Sequence, residues 1–377
     1  MTPRTILHTG NGGAGTTAVA AATARRCAAR GLRTLLVSTG PGHGLADALA
    51  VPVGPQPVEV AALLSAQEVD AAAASERLGT VAGWLGELLH GRPAGAVPGL
   101  PAGLLGLLAV ADHQAGHGWD VIVVDCGGAR ETRGLLALGD VARWWVERLA
   151  GEQARLLDAA RVLRELPGAE VLDELGALAR DVVALDGLLR DHATCSVRVV
   201  TAPHRAAVAE ARRTLTVLGL RDVHADAVIV NGLLGADAAA PFAARRARQQ
   251  ELVAALEAGV AAMPVLRAPS FAQEVAGAAG LDALGAALFA DHDDAAGVLH
   301  AGTPEELVIG RDGATLRLAL PFAEREGLGL QRIGDALIVS VDGHRRTLRL
   351  PAALADYRPS GARLHDGALH VRFDPPA

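Results

Sequence analysis

The chain contains no lysine; all 35 of its basic residues are arginine. Any cation offered to a bound phosphate must therefore be a guanidinium. Aromatic residues make up only 3% of the chain, while half of it is apolar, so the core has to be built from Ala, Leu and Val. Three cysteines, Cys27, Cys126 and Cys195, lie far apart and form no CxxC pair. That excludes a disulfide framework and a zinc clip, and it leads to the expectation of a reduced, cytoplasmic protein. No apolar run approaches the ~18–20 residues of a membrane span, and the N-terminus shows no signal-peptide core. Formal charge is −7 and the arginines are scattered, which leaves no electrostatic footprint for nucleic acid.

Against these absences stands a glycine loop. Residues 10–18 read Gly-Asn-Gly-Gly-Ala-Gly-Thr-Thr-Ala, after an apolar run (Thr5–Thr9) and before an alanine-rich helix (Val19–Ala29). Strand, glycine loop and helix in that order present backbone N–H groups and a helix N-terminus to an anion. In a P-loop a lysine closing the glycine run neutralises the outer phosphates. Here Thr16 holds that place.

The 377 residues suffice for two domains. Strand-like runs (Thr5–Thr9, Thr34–Ser38, Val121–Asp125, Val197–Thr201, Ala227–Asn231 and a short one at Pro264–Leu266) alternate with helical stretches through residue 290. This is the pattern of a mostly parallel α/β sheet. Leucine and alanine spacing predicts a helical subdomain over about 140–192, and a shorter helical insert between Val58 and Leu108. Residues 291–303 are acidic and poorly patterned, the texture of a linker. From 304 to 377, six or seven short alternating runs separated by Gly/Asp turns predict a small β-sandwich.

Gly10, Gly12 and Gly15 also satisfy G-x-G-x-x-G, the dinucleotide fingerprint. That motif needs a carboxylate at the end of the second strand to hold the ribose. The second strand ends Ser38-Thr39-Gly40, without one.

The longer stretch GNGGAGTTAVAAATA resembles, without a gap, the loop GKGGVGKTTVAAATA of the ArsA/guided-entry ATPases, relatives of the MinD-type dimeric NTPases. STGPGHGLADAL (Ser38–Leu49) is similar to their first switch, STDPAHSLSDAF. WDVIVVDCGGARETRGLL (Trp119–Leu136) is similar to YDxVVVDTAPTGETLRLL, and ADAVIVNGLL (Ala225–Leu234) to the strand whose terminal asparagine contacts adenine. These motifs span most of residues 1–290 in the family's order. The closing run ARLHDGALHVRF (Ala362–Phe373) resembles the A-x-L-x-N-G-x-L strand pair of the α-crystallin domain of small heat-shock proteins, which some bacterial ArsA-like ATPases carry. Asp366-Gly367 supplies its tight turn.

The resemblance implies a role for each matched position. Asn11 stands where the family has the lysine that crosses the dimer, and Thr16 where it has the ordinary loop lysine. Gly40 replaces the water-orienting aspartate, Gly44 a switch serine, and Gly128-Ala129-Arg130 a Pro-Thr-Gly. The backbone cradle (Gly10, Gly12, Gly13, Gly15), the magnesium-ligand position Thr17, the Walker B-like Asp125 and the adenine-side Asn231 are retained. The expectation is a nucleotide site with its recognition groups present and its charge-handling groups gone: no catalytic residue, and ATP or ADP with Mg held weakly or lost.

Arg130 is expected either to fill the phosphate site, to pair with Asp125, or to be a solvated loop residue. Cys27 and Cys126 read as small core residues. Trp144-Trp145 and the leucines beyond read as helix packing, with a client groove as the rival reading. The whole reads as a dimeric, chaperone-like pseudo-ATPase with a protein client. The alternatives are the non-catalytic half of a heterodimer with an ArsA-like paralogue, and a slow ATPase using Arg130.

Overall fold

The computed structural model describes residues 2–40, 44–70, 102–139, 169–236, 239–260, 262–292, 294–310 and 312–375. Eight strands form the main sheet: β1 (Arg4–Gly10), β2 (Thr34–Ser38), β3 (Val58–Ala61), β4 (Leu64–Glu68), β5 (Val121–Gly128), β6 (Cys195–Thr201), β7 (Ala225–Leu233) and β8 (Val265–Pro269), in the order β3-β4-β2-β5-β1-β6-β7-β8. All pairings are parallel except β3 with β4.

The central strands are apolar at nearly every position because both faces of the sheet are covered. Ile6, Leu36, Val123, Val200 and Ile229 face a layer containing α1 (Thr16–Ala29), α2 (Gly44–Leu49) and α8 (Gly277–Leu288). Leu7, Val37, Val124, Val199 and Val230 point the other way. They face α3 (Ala102–Ala115), α4 (Ala129–Leu136), α5 (Ala169–Leu189), α6 (Arg205–Leu220) and α7 (Ala243–Val260).

Residues 58–68 correct the expectation of a helical insert from Val58. They form a hairpin whose second strand adds to the free edge of β2, with Leu63 turning the chain at φ 59°. Val58-Glu59-Val60 and Leu64-Ser65-Ala66 alternate with period two, and a strand uses that period where a helix does not. Residues 71–101 of that expected insert lie outside the described residues, and α3 begins at Ala102. Of the predicted subdomain over about 140–192, residues 169–189 form α5, and the chain has left the helix before β6 begins at Cys195. Residues 140–168, Trp144 and Trp145 among them, lie outside the described residues.

After residue 304 come β9 (Glu305–Gly310), β10 (Gly313–Ala319), β11 (Leu328–Ile333), β12 (Ala336–Val341), β13 (His344–Arg349), β14 (Arg358–His365) and β15 (Ala368–Asp374). They make two antiparallel sheets, β14-β15-β10-β9 and β11-β12-β13. Leu316, Leu318, Leu337, Val339, Leu369, Val371 and Phe373 fill the space between them. Asp366 and Gly367 both take positive φ (51° and 67°), the two-residue turn that matches strand twist.

The segment expected as a linker is fastened down. Arg198, fully buried on β6, pairs with Asp226 at 3.2 Å and donates to the carbonyls of Ala295 (2.8 Å) and Gly297 (3.0 Å). Arg4 donates to Ala296 O, and the Leu299 amide to Asp226. This strap crosses the N-terminal ends of β1, β6 and β7.

From there the sandwich docks on the end of α6. Leu220 is part of the sandwich core, and Arg346 donates to Leu220 O at 2.9 Å while pairing with Glu305 at 2.7 Å. A Cβ on Gly219 would stand 1.9 Å from Ala319 O, so only glycine permits that approach.

Candidate functional site

The site lies at the C-terminal ends of the parallel strands, where open α/β sheets bind ligands. β1 delivers the glycine loop. Gly13 (φ 77°) and Gly15 (φ 79°) adopt the left-handed conformation, and Gly10 is close enough to Val200 O and Thr16 Oγ1 to exclude a side chain. Gly15 caps α1 and no side chain caps that end, so the first N–H groups of the helix have no side-chain acceptor. Gly12 and Gly13 are exposed, Asn11 is half-buried and Thr16 is buried.

Thr17, in the first turn of α1, donates to Asp125 Oδ2 at 2.7 Å. Oδ1 of the same carboxylate is buried without a hydrogen bond among the described residues. Burial raises the Asp125 pKa above the usual carboxylate value, against the opposing influence of the Thr17 hydroxyl and the nearby Gly127 amide. Among the described residues no arginine contributes to that balance. A buried carboxylate with one idle oxygen beside a hydroxyl suits a divalent cation, so the retained pair Thr17 and Asp125 fits the magnesium side of a P-loop.

The cationic side does not fit in the same way. The glycine loop itself supplies no cation: positions 11 and 16 hold Asn11 and Thr16.

Threonines tie the surrounding loops together. Thr9 Oγ1 and Thr132 Oγ1 lie 2.8 Å apart, and the Thr132 hydroxyl reaches Gly128 O at 3.2 Å. The Thr39 amide donates to Asp125 O at 3.0 Å. Under the loop, His8 is fully buried against Thr23 and its pKa is pushed down to about 3, chiefly by burial, so the ring is neutral.

Arg130 is the second residue of α4 and its side chain is exposed; among the described residues it makes no ion pair, with Asp125 or otherwise. Of the three readings open for Arg130, pairing with Asp125 is absent, and its exposed side chain accords with a solvated position. The buried arginine of that segment is Arg133, paired with Glu210 at 2.6 Å and bonded to Thr214.

Gly40 has open space: an added Cβ would find its nearest neighbour, Gly127 Cα, at 3.8 Å. Burial pushes the Cys27 and Cys195 thiols up to about 12 and Cys126 well above its ordinary value, so all three stay protonated. No cluster able to hold a metal through three or more His, Cys, Asp or Glu occurs among the described residues.

Asn231, at the end of β7, turns toward the glycine loop. Its Nδ2 donates to Ala14 O at 2.9 Å, which commits the amide to shaping the loop. Asn11 and Asn231 are the only asparagines in the chain, and both fall at this site. That signal was readable in the composition. The arginines beside the loop, Arg205, Arg245 and Arg248, carried no motif and were missed.

Residues 3–290 match the family model described as anion-transporting ATPase, and residues 311–373 match an HSP20-like domain found in ArsA. A Chlorobaculum tepidum protein named "Putative arsenical pump-driving ATPase" is 26% identical over 98% of this chain and 96% of its own length. The Mycobacterium tuberculosis protein Rv2184c is 33% identical over 99% and 96%. The Arabidopsis thaliana ATPase GET3C is 25% identical over 73% and 80%. With the glycine loop, the Thr17–Asp125 pair and the docked sandwich, these matches show that the chain belongs to the ArsA family of P-loop ATPases and carries that family's HSP20-like domain.

Proposed function

We propose that this chain is a pseudo-ATPase of the ArsA family: a dimeric, chaperone-like binding protein that holds Mg-nucleotide weakly and does not turn it over. The observation that carries this reading is the coexistence of an intact backbone cradle and Thr17–Asp125 pair with Asn11, Thr16 and Gly40 at the two lysine positions and the aspartate position. Phosphoryl transfer rests on positioning and on preorganised charge. Removing one such donor costs about 3–4 kcal/mol in the transition state, and here two cations and the water-orienting carboxylate are missing together. Thr17 and Asp125 would hold the magnesium ion, which when bound draws charge from the phosphate oxygens. The loop amides and the α1 N-terminus would orient the phosphates.

A second reading makes the chain one half of a heterodimer whose partner supplies lysine and aspartate. The exposed Gly12, Gly13, Gly128 and Arg130 favour it, since they leave this face open to a facing loop.

The test compares wild type with the triple variant Asn11→Lys, Thr16→Lys, Gly40→Asp. Expected are phosphate release at background for wild type and tighter ATP binding for the triple variant. Wild-type hydrolysis at ordinary enzymatic rates, abolished by Asp125→Asn or Arg130→Ala, would overturn the proposal. Hydrolysis appearing only on mixing with an intact ArsA-like chain selects the second reading.

A further inference from the structure

A cleft of about 470 Å³ opens on the α6/α7 side of the glycine loop, at the ends of β6 and β7. Its walls include Gly13, His204, Arg205, Asn231, Arg245 and Arg248. Among the described residues no carboxylate lines it, although acidic residues outnumber basic ones 42 to 35 in the chain. Arg205 and Arg245 are exposed and make no ion pair or hydrogen bond among the described residues. Among the described residues Arg248 is held only by the solvent-exposed Glu251 on the next turn, a pair of little strength.

His204 caps α6, and its Nδ1 accepts from the Ala207 amide at 3.3 Å. With Nδ1 accepting that bond, Nε2 is left as the ring's donor. Asn231 spends Nδ2 on Ala14 O and retains Oδ1 as an acceptor. The cleft thus gathers three guanidiniums and an imidazole N–H beside a loop whose own cations are missing. Its volume falls in the range of small-ligand sites.

We propose that this cleft is an anion subsite for a phosphate ester or polyphosphate, gripped by Arg205 and Arg245 with Arg248 as a third cation. Charge lost from the glycine loop is replaced at its flank, from the first turns of α6 and α7. Guanidinium forks suit this chemistry because they meet phosphate oxygens in pairs. The subsite does not depend on the glycine loop retaining magnesium or nucleotide. The ligand is either a free polyphosphate seated in the cleft or a nucleotide reaching from the loop into it.

The experiment titrates the full chain with inorganic pyrophosphate and, separately, with ATP in magnesium, following heat and melting temperature. Proteins compared are wild type, Arg205→Gln/Arg245→Gln, Arg205→Lys/Arg245→Lys, Thr17→Ala, and Arg267→Gln as a control outside the cleft. The exposed arginines leave folding intact, which circular dichroism checks.

Pyrophosphate should bind wild type, weaken at least about tenfold in the double Gln variant, recover in part with lysine, and be unchanged by Thr17→Ala and Arg267→Gln. ATP weakened by both the double Gln variant and Thr17→Ala identifies a ligand spanning loop and cleft. ATP indifferent to Thr17→Ala identifies the cleft alone. Absence of pyrophosphate binding to folded wild type, or equal affinity in the double Gln variant, overturns the proposal. Failure of Thr17→Ala to affect ATP counts against loop-held nucleotide and leaves the subsite standing.

Discussion

Two neighbouring residues under the glycine loop are held in the uncharged direction by burial. His8 and Asp125 are register partners on β1 and β5, and each reaches a threonine of α1, Thr23 and Thr17 respectively. With a folded pKa near 3 against an unfolded value near 6.5, His8 stays neutral in the native state while the unfolded chain takes up a proton. Its contribution is intact above pH ~6.5 and is lost as pH falls toward 3, at up to about 1.4 kcal/mol per pH unit. Urea melts of His8→Gln across that window should show a shallower loss than wild type; parallel curves would mean that His8 is not the group involved. Asp125 behaves in the opposite sense, since its folded pKa is raised and the native state resists its ionisation. Replacing it by asparagine removes a buried charge with one idle oxygen, so the ligand-free protein should gain stability, on the order of 1 kcal/mol. The same variant should lose any rise in melting temperature produced by Mg-nucleotide. A variant less stable than wild type without ligand would show that the carboxylate needs no cation.

At the scale of elements, α6 has opposite duties at its two ends. Arg205 at its start faces the cleft beside the glycine loop, and Leu220 at its end enters the sandwich core. Gly219 permits that second contact, so Gly219→Val should separate α6 from β10 and cost about 1–3 kcal/mol, read as a lower urea midpoint. The strap gives a larger effect. Arg198→Met leaves Asp226 buried with Arg4 as its remaining ion-pair partner and should cost about 3–5 kcal/mol; a midpoint shift below 1 kcal/mol, at about the worth of a surface pair, would show that the strap is dispensable. Much of this architecture was legible in the sequence. The strands from Thr5 to Leu266 announced themselves as apolar runs, and the period-two runs after 304 announced a sandwich. The glycine loop and Asp125 were legible because their residue types are set by backbone geometry and metal chemistry. Arg198 and Asp226 were not, because a lone charge in a strand pattern gives no sign of partners 97 and 73 residues away. The β3–β4 hairpin was missed because its period-two runs are only three residues long, in strands of four and five residues, and stand beside an alanine-rich stretch of helical texture. Asn231 was read from its place at the end of a strand, but its hydrogen bond to Ala14 O was not, since nothing local in the sequence shows that contact.

Across the whole molecule the glycine loop and the sandwich are separated by the length of the sheet. The glycine loop and its cleft occupy the C-terminal ends of the strands, while the strap and the sandwich occupy the N-terminal ends, where Arg4, Arg198 and Asp226 lie. Proteins that dimerise across their nucleotide loops bring those C-terminal ends together, so a dimer of that kind places its two sandwiches at opposite outer ends. The sandwich should then be irrelevant to dimer formation yet essential to the body that carries it. Removing residues 304–377 exposes Leu220 and strips Arg346 from the end of α6. The truncated chain should melt at lower temperature and bind a hydrophobic dye, while light scattering still reports a dimer wherever the full chain does. Asn11→Arg and Gly12→Arg, at the loop tip, should do the reverse: they set like charges face to face across the two-fold axis, dissociate the dimer and leave the melting temperature of the sandwich-docked body unchanged. A full-length chain that is only monomeric at tens of micromolar, or a dimer lost with the sandwich and kept with the loop-tip arginines, would move the interface from the nucleotide face to the β-domain.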